Sequence, residues 1–123
     1  MENRRTFSHV DEDGSSKMVN VSEKKNTHRE ARAQAVVVLG EKLIEELKAL
    51  EGRTKKGSVF DTARLAGIMG AKKTSALIPL CHPLFIDGVD VSLEYWNNDA
   101  IRIVTEASTT GKTGVEMEAL TAA

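Results

Sequence analysis

Both prolines of this 123-residue chain, its only cysteine and one of its three histidines fall in one stretch, Thr74 to Leu84, read as Thr-Ser-Ala-Leu-Ile-Pro-Leu-Cys-His-Pro-Leu. Each proline fixes its own φ and pushes the residue before it out of the α region, so Pro79 and Pro83 hold Ile78 and His82 extended or in a turn. His82 therefore sits on stiff, non-helical backbone, flanked by Cys81 and Pro83 and then by Leu80 and Leu84. Two readings of its imidazole stand. It lies at the rim of a pocket with its ring turned to a ligand, or it caps a turn, half inside as histidines often are.

A chain of this length makes one domain with a single core, needing neither disulfides nor metals. Net charge is −1, which argues against a general nucleic-acid or membrane-surface binder, so any basic site is local. Aromatic residues make up 4%, too few for a platform on which single-stranded bases stack. A single cysteine excludes an internal disulfide and fits a reducing compartment. No apolar run approaches 18 residues and the polar N-terminus carries no secretory signal, so the reading is cytoplasmic. Metal binding is not expected, because Cys81 and His82 are adjacent while His9 and His28 lie far off without ligand spacing.

Residues 1–17 are polar and read as a flexible arm ahead of a single domain over 18–123. Met18 to Glu23 alternates apolar and polar, as a short strand or extended clip would. Thr27 to Leu39 runs into the β-branched cluster Val36-Val37-Val38, which favours a strand closed by Gly40. Glu41 to Glu51 places Leu43, Ile44, Leu47 and Leu50 at helical spacing, with Gly52 as the stop. The loop from Gly52 to Gly57 concentrates Arg53, Lys55 and Lys56, which reads either as a solvated loop or as an anion site before a helix. Ser58 and Asp61 make a capping-box-like start to a helix over Val59 to Gly70, in which Ala63, Ala66, Gly67 and Gly70 permit close packing. A short helical turn begins near Thr74. Val89, Val91, Leu93 and Tyr95 alternate with polar residues, Asn97-Asn98-Asp99 turns the chain, and Ala100 to Ala107 returns, so a β-hairpin is expected. Ser108 to Gly114 reads as a loop and Val115 to Ala123 as a helix. Strand, helix, helix, hairpin, helix predicts an α+β fold, an antiparallel sheet covered by helices on one face.

Gly111-Lys112-Thr113 invites a P-loop reading that fails, because the glycine required five residues earlier is Glu106, inside the expected strand. What remains is backbone N–H groups at a helix start beside a lysine, a place able to hold an anion. Glu116, Met117 and Glu118 form the first turn of that last helix. Carboxylates at i and i+2 point in different directions, so by spacing they are not a catalytic pair. They read either as first-turn helix chemistry or, where one faces a pocket holding His82, as a partner for the N–H edge of a purine or pterin ring.

Four blocks, taken together, carry a resemblance: Met18 to Lys24 with His28 to Ala33; Lys56 to Thr74; Leu77-Ile-Pro-Leu-Cys-His-Pro-Leu84; and Thr110 to Ala122. In that order and spacing they closely resemble the cyclic pyranopterin monophosphate synthases of molybdenum cofactor biosynthesis, the MoaC family. The resemblance covers nearly everything from Met18 onward. It implies a ferredoxin-like subunit assembled into dimers and then a homohexamer, with the active site at a subunit interface. It also implies a lyase that converts 3′,8-cyclo-7,8-dihydroguanosine 5′-triphosphate into cyclic pyranopterin monophosphate with release of diphosphate. No cofactor is implied. Carried over by resemblance, Lys56 and His82 are the catalytic candidates. Leu80, Cys81 and His82 form the pocket segment, Glu116, Met117 and Glu118 the ring-binding turn, and Arg29 and Lys72 lie near the triphosphate or come from a neighbouring subunit.

These residue types suit the reaction. Several cations at loop and helix ends neutralise a triphosphate without making the whole protein basic. Opening and reclosing a purine-derived ring moves protons both ways near neutral pH, for which a lysine among other cations is suited, and Lys56 is assigned that part. His82 belongs on the phosphate or sugar side, as orienter or proton donor. Two departures from the family pattern stand out. Asn20 occupies a place where the family commonly has aspartate, and the chain stops at Ala123, within what the family continues as a long helix and a further strand. That part carries the family's catalytic aspartate, a second catalytic lysine and another phosphate-binding lysine. The expectation is a truncated or partial chain that binds ligand weakly and turns over little. The alternative is a non-catalytic subunit that binds a nucleotide or phosphate, or serves only in assembly.

Overall fold

The structure, a computed structural model, describes residues 15–18 and 25–123. Most of the expected arm, the clip beyond Met18 and the Asn20 position lie outside the described residues.

Strand β1 (Thr27–Val38) is followed by helix α1 (Glu41–Ala49), and a two-residue hairpin, β2 (Arg53–Thr54) with β3 (Gly57–Ser58), leads into α2 (Val59–Lys72). A single turn, α3 (Thr74–Leu77), precedes the proline segment, after which come β4 (Gly88–Trp96), β5 (Ala100–Gly111) and α4 (Glu116–Ala122). The sheet has three antiparallel strands in the order β1-β5-β4. The expected α+β class, strand, helices and hairpin are all present. No helix among the described residues is long and apolar enough to cross a membrane.

Alternation decides which face is covered. Ile101, Ile103, Thr105, Ala107 and Thr109 share one side of β5 with Leu93 and Val91 of β4 and with Ala33 and Ala31 of β1. Against this side α1 buries Ile44 and Leu47 on Ile101, with Val59, Phe60, Leu93 and Tyr95 around them. At the other end Val115 and Ala119, leading into and within α4, close on Ala107, Ala31 and Ala33. The opposite side carries exposed cross-strand ion pairs, Arg102 with Glu94 and Arg32 with Glu106, the guanidinium of Arg102 lying 4.4 Å from the Trp96 ring. Fully burying a side chain the size of Ile44 contributes about 1.5–3 kcal/mol, so the helices belong on the first side.

Helix α2 begins where its cap predicts, with Ser58 Oγ accepting from the Asp61 N–H at 3.2 Å. Its buried Gly67 lets α4 approach so closely that a Cβ there would stand 2.9 Å from the Ala122 carbonyl oxygen. Ala66, also expected at a close contact, is exposed instead.

Three expectations differ from what is observed. The predicted loop over Ser108 to Gly114 is strand as far as Gly111, because β1 begins at Thr27 and pairs with Gly111, so a long-range partner extends β5 into a Ser/Thr-rich stretch. The basic loop is a β-hairpin with Lys55 and Lys56 at its tip, set by Gly52 and Gly57 at φ of 73° and 109°. The first helix ends at Ala49, because Glu51 enters the left-handed region at φ 54° ahead of Gly52.

Candidate active site

The proline stretch folds as a strained turn. Cys81 N–H donates to the Ile78 carbonyl at 3.4 Å, with Pro79 in the second place and Leu80 in the third at φ 65°. In a turn of this kind the third place ordinarily goes to glycine or asparagine, because a side chain there meets the backbone. A leucine costs roughly 1–2 kcal/mol in that region, and such strain persists only where the surroundings over-determine it. Leu84 supplies one such restraint by packing on Ala107, Val115 and Ala119. The segment carrying half-buried Cys81 and His82 is thereby laid against the start of α4.

Within α4 the ambiguity between the acidic residues resolves by burial. Glu118 is 4% exposed, while Glu116 and Met117 face outward. The Glu116 carboxylate folds back over Gly114, leaving no room for a side chain there. Burial pushes the Glu118 carboxyl above the ordinary glutamate range, and the neighbouring Glu116 charge pushes it further, against a hydrogen bond from its own backbone N–H. Burial also raises the Cys81 thiol, with Glu118 as the second cause. Cys81 therefore stays a neutral thiol at neutral pH rather than a thiolate nucleophile.

Around this pair the expected cations divide. Arg29, half-buried on β1, donates from Nε to the Gly111 carbonyl at 3.3 Å, at the foot of the loop leading into α4. Lys72, in the last turn of α2, lines a cavity of about 340 Å³ together with Leu84, Phe85 and Asp87. Lys56 does not join them. It is exposed at the hairpin tip, where its N–H donates to Thr54 Oγ1 at 3.2 Å. From there to Lys72 runs the whole of α2, 14 residues, or about 21 Å at 1.5 Å per residue. One chain thus brings together Leu80, Cys81, His82, Glu118 and the Arg29 side of the sheet, and leaves Lys56 at the far end of a helix.

Two groups that sequence reasoning passed over support this arrangement. Thr105 and Thr109 on the covered side of β5 are 0% and 2% exposed, and each hydroxyl donates to a backbone carbonyl outside the strand. The signal was available, since both threonines fall in register with Ile101, Ile103 and Ala107, and a hydroxyl at a core position requires a partner.

The sequence model of the MoaC family matches residues 18–123. The chain is 47% identical over 121 residues to the cyclic pyranopterin monophosphate synthase of Staphylococcus haemolyticus (strain JCSC1435), an alignment covering 95% of this chain and 74% of that protein.

Proposed function

The chain belongs to the MoaC family, and we propose that it performs that family's lyase reaction in molybdenum cofactor biosynthesis. It forms cyclic pyranopterin monophosphate from 3′,8-cyclo-7,8-dihydroguanosine 5′-triphosphate and releases diphosphate. The observation that carries this reading is the Cys81–His82 segment laid, through Leu84, against the helix that buries Glu118. A carboxyl raised by burial presents an acceptor or a held proton to the polar edge of a pterin-like ring. Cys81 lines the pocket, and His82 orients the sugar and phosphate side. Glu116, Met117 and Leu80 complete the ring-binding turn, while Arg29 and Lys72 supply positive charge for the triphosphate.

Lys56 moves protons in this scheme, and its position in one chain is the argument for a second. Lys56 precedes the first turn of α2, about 21 Å along that helix from Lys72, which stands at the end that leads to His82. A second copy presenting its β2–β3 hairpin to the His82 segment completes the site, so the protein works as a homo-oligomer, with dimers building a hexamer. The strand order β1-β5-β4 with α4 following β5 is that of the first three strands of a ferredoxin-like fold, which is the architecture we assign. A lone cysteine held as a thiol suits the reducing cytoplasm.

Calorimetric titration with guanosine triphosphate, alongside diphosphate release from the cyclic substrate, tests the reading. Saturable binding that His82→Ala and Lys56→Ala each weaken at least tenfold, the loss of one charge-assisted contact, is expected. Binding indifferent to both changes would reject the site, and binding without turnover would make this a non-catalytic nucleotide-binding subunit.

A further inference from the structure

We propose that Thr109 is a positioning residue for His82, and that with Thr105 it makes β5 the frame that sets the two halves of the site at a fixed separation. The inference rests on the reading above, in which His82 and the first turn of α4 face the substrate.

Thr105 and Thr109 stand four residues apart on the covered side of one strand, 0% and 2% exposed. A hydroxyl has one proton to give, and a buried one gives it to a specific acceptor. Thr105 Oγ1 donates at 2.7 Å to the carbonyl of Ala119, which holds α4 and with it Glu118. Its separation from the Ala33 carbonyl is 3.5 Å, so the proton goes to α4. Thr109 Oγ1 donates to the carbonyl of Phe85, three residues beyond His82. One strand face therefore grips both α4, at Ala119, and the segment that carries His82, at Phe85.

The grip at Thr109 adds a directional, polar hold to a segment whose apolar anchor is Leu84, packed on Ala107, Val115 and Ala119. Residues 81–86 have no regular secondary structure, Pro83 offers no N–H, and the Phe85 side chain is 85% exposed and anchors nothing. Among the described residues, the first hydrogen bond after His82 is the one from Thr109. Next come the Asp87 N–H to the Ser108 carbonyl at 2.8 Å and Thr110 Oγ1 to the Asp87 carboxylate at 3.1 Å, both further along and at the sheet itself. On the other side of His82 lies the Leu80 turn at φ 65°, which would relax if its far end were free. The Thr109 bond closes the segment opposite that strained turn, leaving the imidazole a short, proline-stiffened span in which to move.

The test compares Thr109→Val, which keeps the shape and removes the proton, with Thr109→Ser, which keeps the proton, and with His82→Ala. Carbon–proton spectra of the histidine rings give one reading, with His28 as internal reference because its ring bonds Glu30 on the other side of the sheet. Guanosine triphosphate titration gives the second. Thr109→Val should broaden or shift the His82 ring signal, leave His28 in place and weaken binding by about tenfold, the scale of one misplaced hydrogen-bonding group. Thr109→Ser should restore both. Should the valine variant fail to fold, Thr109→Ala, which opens room for water at the Phe85 carbonyl, gives the same comparison. A valine or alanine variant with an unchanged His82 signal and wild-type affinity overturns the proposal, as does a serine variant as impaired as the valine one. If His82→Ala also binds normally, the site reading itself fails; if His82→Ala abolishes binding while Thr109→Val does not, only the positioning role fails.

Discussion

Replacing Gly67 with alanine should destabilise this protein, although the same change inside a solvated helix would stabilise it. Alanine is favoured over glycine by about 1 kcal/mol in a helix interior. Gly67 is buried where α2 crosses α4, and a Cβ added there would stand 2.9 Å from the Ala122 carbonyl oxygen and 3.0 Å from Val91 Cγ2. Backbone does not yield cheaply, and overpacking of this kind costs about 1–3 kcal/mol. A retreat of α4 by a few tenths of an ångström would also stretch the 2.7 Å bond from Thr105 to Ala119, worth about 1 kcal/mol. Set against the gain in propensity, the net loss is about 1–3 kcal/mol, or roughly 4 °C of Tm per kcal/mol at this chain length. Urea unfolding at fixed protein concentration, followed by the fluorescence of the single tryptophan Trp96, measures it. Ala66→Gly, one residue earlier and exposed, supplies the propensity scale and should cost about 1 kcal/mol. A Gly67→Ala protein as stable as the parent, or more so, would refute the close crossing of α2 and α4.

Three further outcomes follow from the same packing. Ile44, 1% exposed and central to the α1 cluster, should cost about 2–5 kcal/mol when cut to alanine, read as a lowered urea midpoint with an unchanged slope. The raised carboxyl of Glu118 binds its proton more tightly folded than unfolded, so its contribution is full in acid and is lost as pH rises from the ordinary glutamate range through the folded value. Glu118→Gln should flatten that decline, and a stability profile across pH 4–7 identical to the parent's would contradict the burial assigned to it. The Cys81 thiol, raised by burial and by Glu118, should alkylate with iodoacetamide more slowly than a free cysteine, and Glu118→Gln should speed it severalfold by removing the neighbouring charge. Equal rates in parent and variant would separate the two groups.

Much of this fold was legible in local chemistry. The alternation over Val89 to Tyr95, the Asn97-Asn98-Asp99 turn and the Ser58 cap each rest on near neighbours, and each is found where the pattern puts it. What escaped the sequence depends on distant partners. Strand β5 runs to Gly111 because Thr27 waits opposite it, and no feature of Ser108 to Gly111 alone says so. Likewise the choice between Glu116 and Glu118 is made by how α4 is rolled on Ala107, a packing decision invisible in a three-residue turn. The β-branched run Val36 to Val38 is a strand as expected, yet its side chains are exposed, since the helices cover the sheet elsewhere. Both Lys56 and His82 stand out by residue type and neighbours, and the helix between them was legible too, but the burial of Glu118 on α4 against the cluster that Leu84 joins appears only in the folded chain.

Mixing two defective variants tests the shared site most directly. Lys56→Ala and His82→Ala proteins, each purified alone, should show little saturable guanosine triphosphate binding. After unfolding and refolding together in equal amounts, they should recover about a quarter of the parental sites, because random two-fold pairing places both intact groups together in one site of each mixed dimer. Recovery to that level places Lys56 of one copy beside His82 of another. No recovery on mixing, with mixed oligomers demonstrably formed, would contradict a site built from two copies.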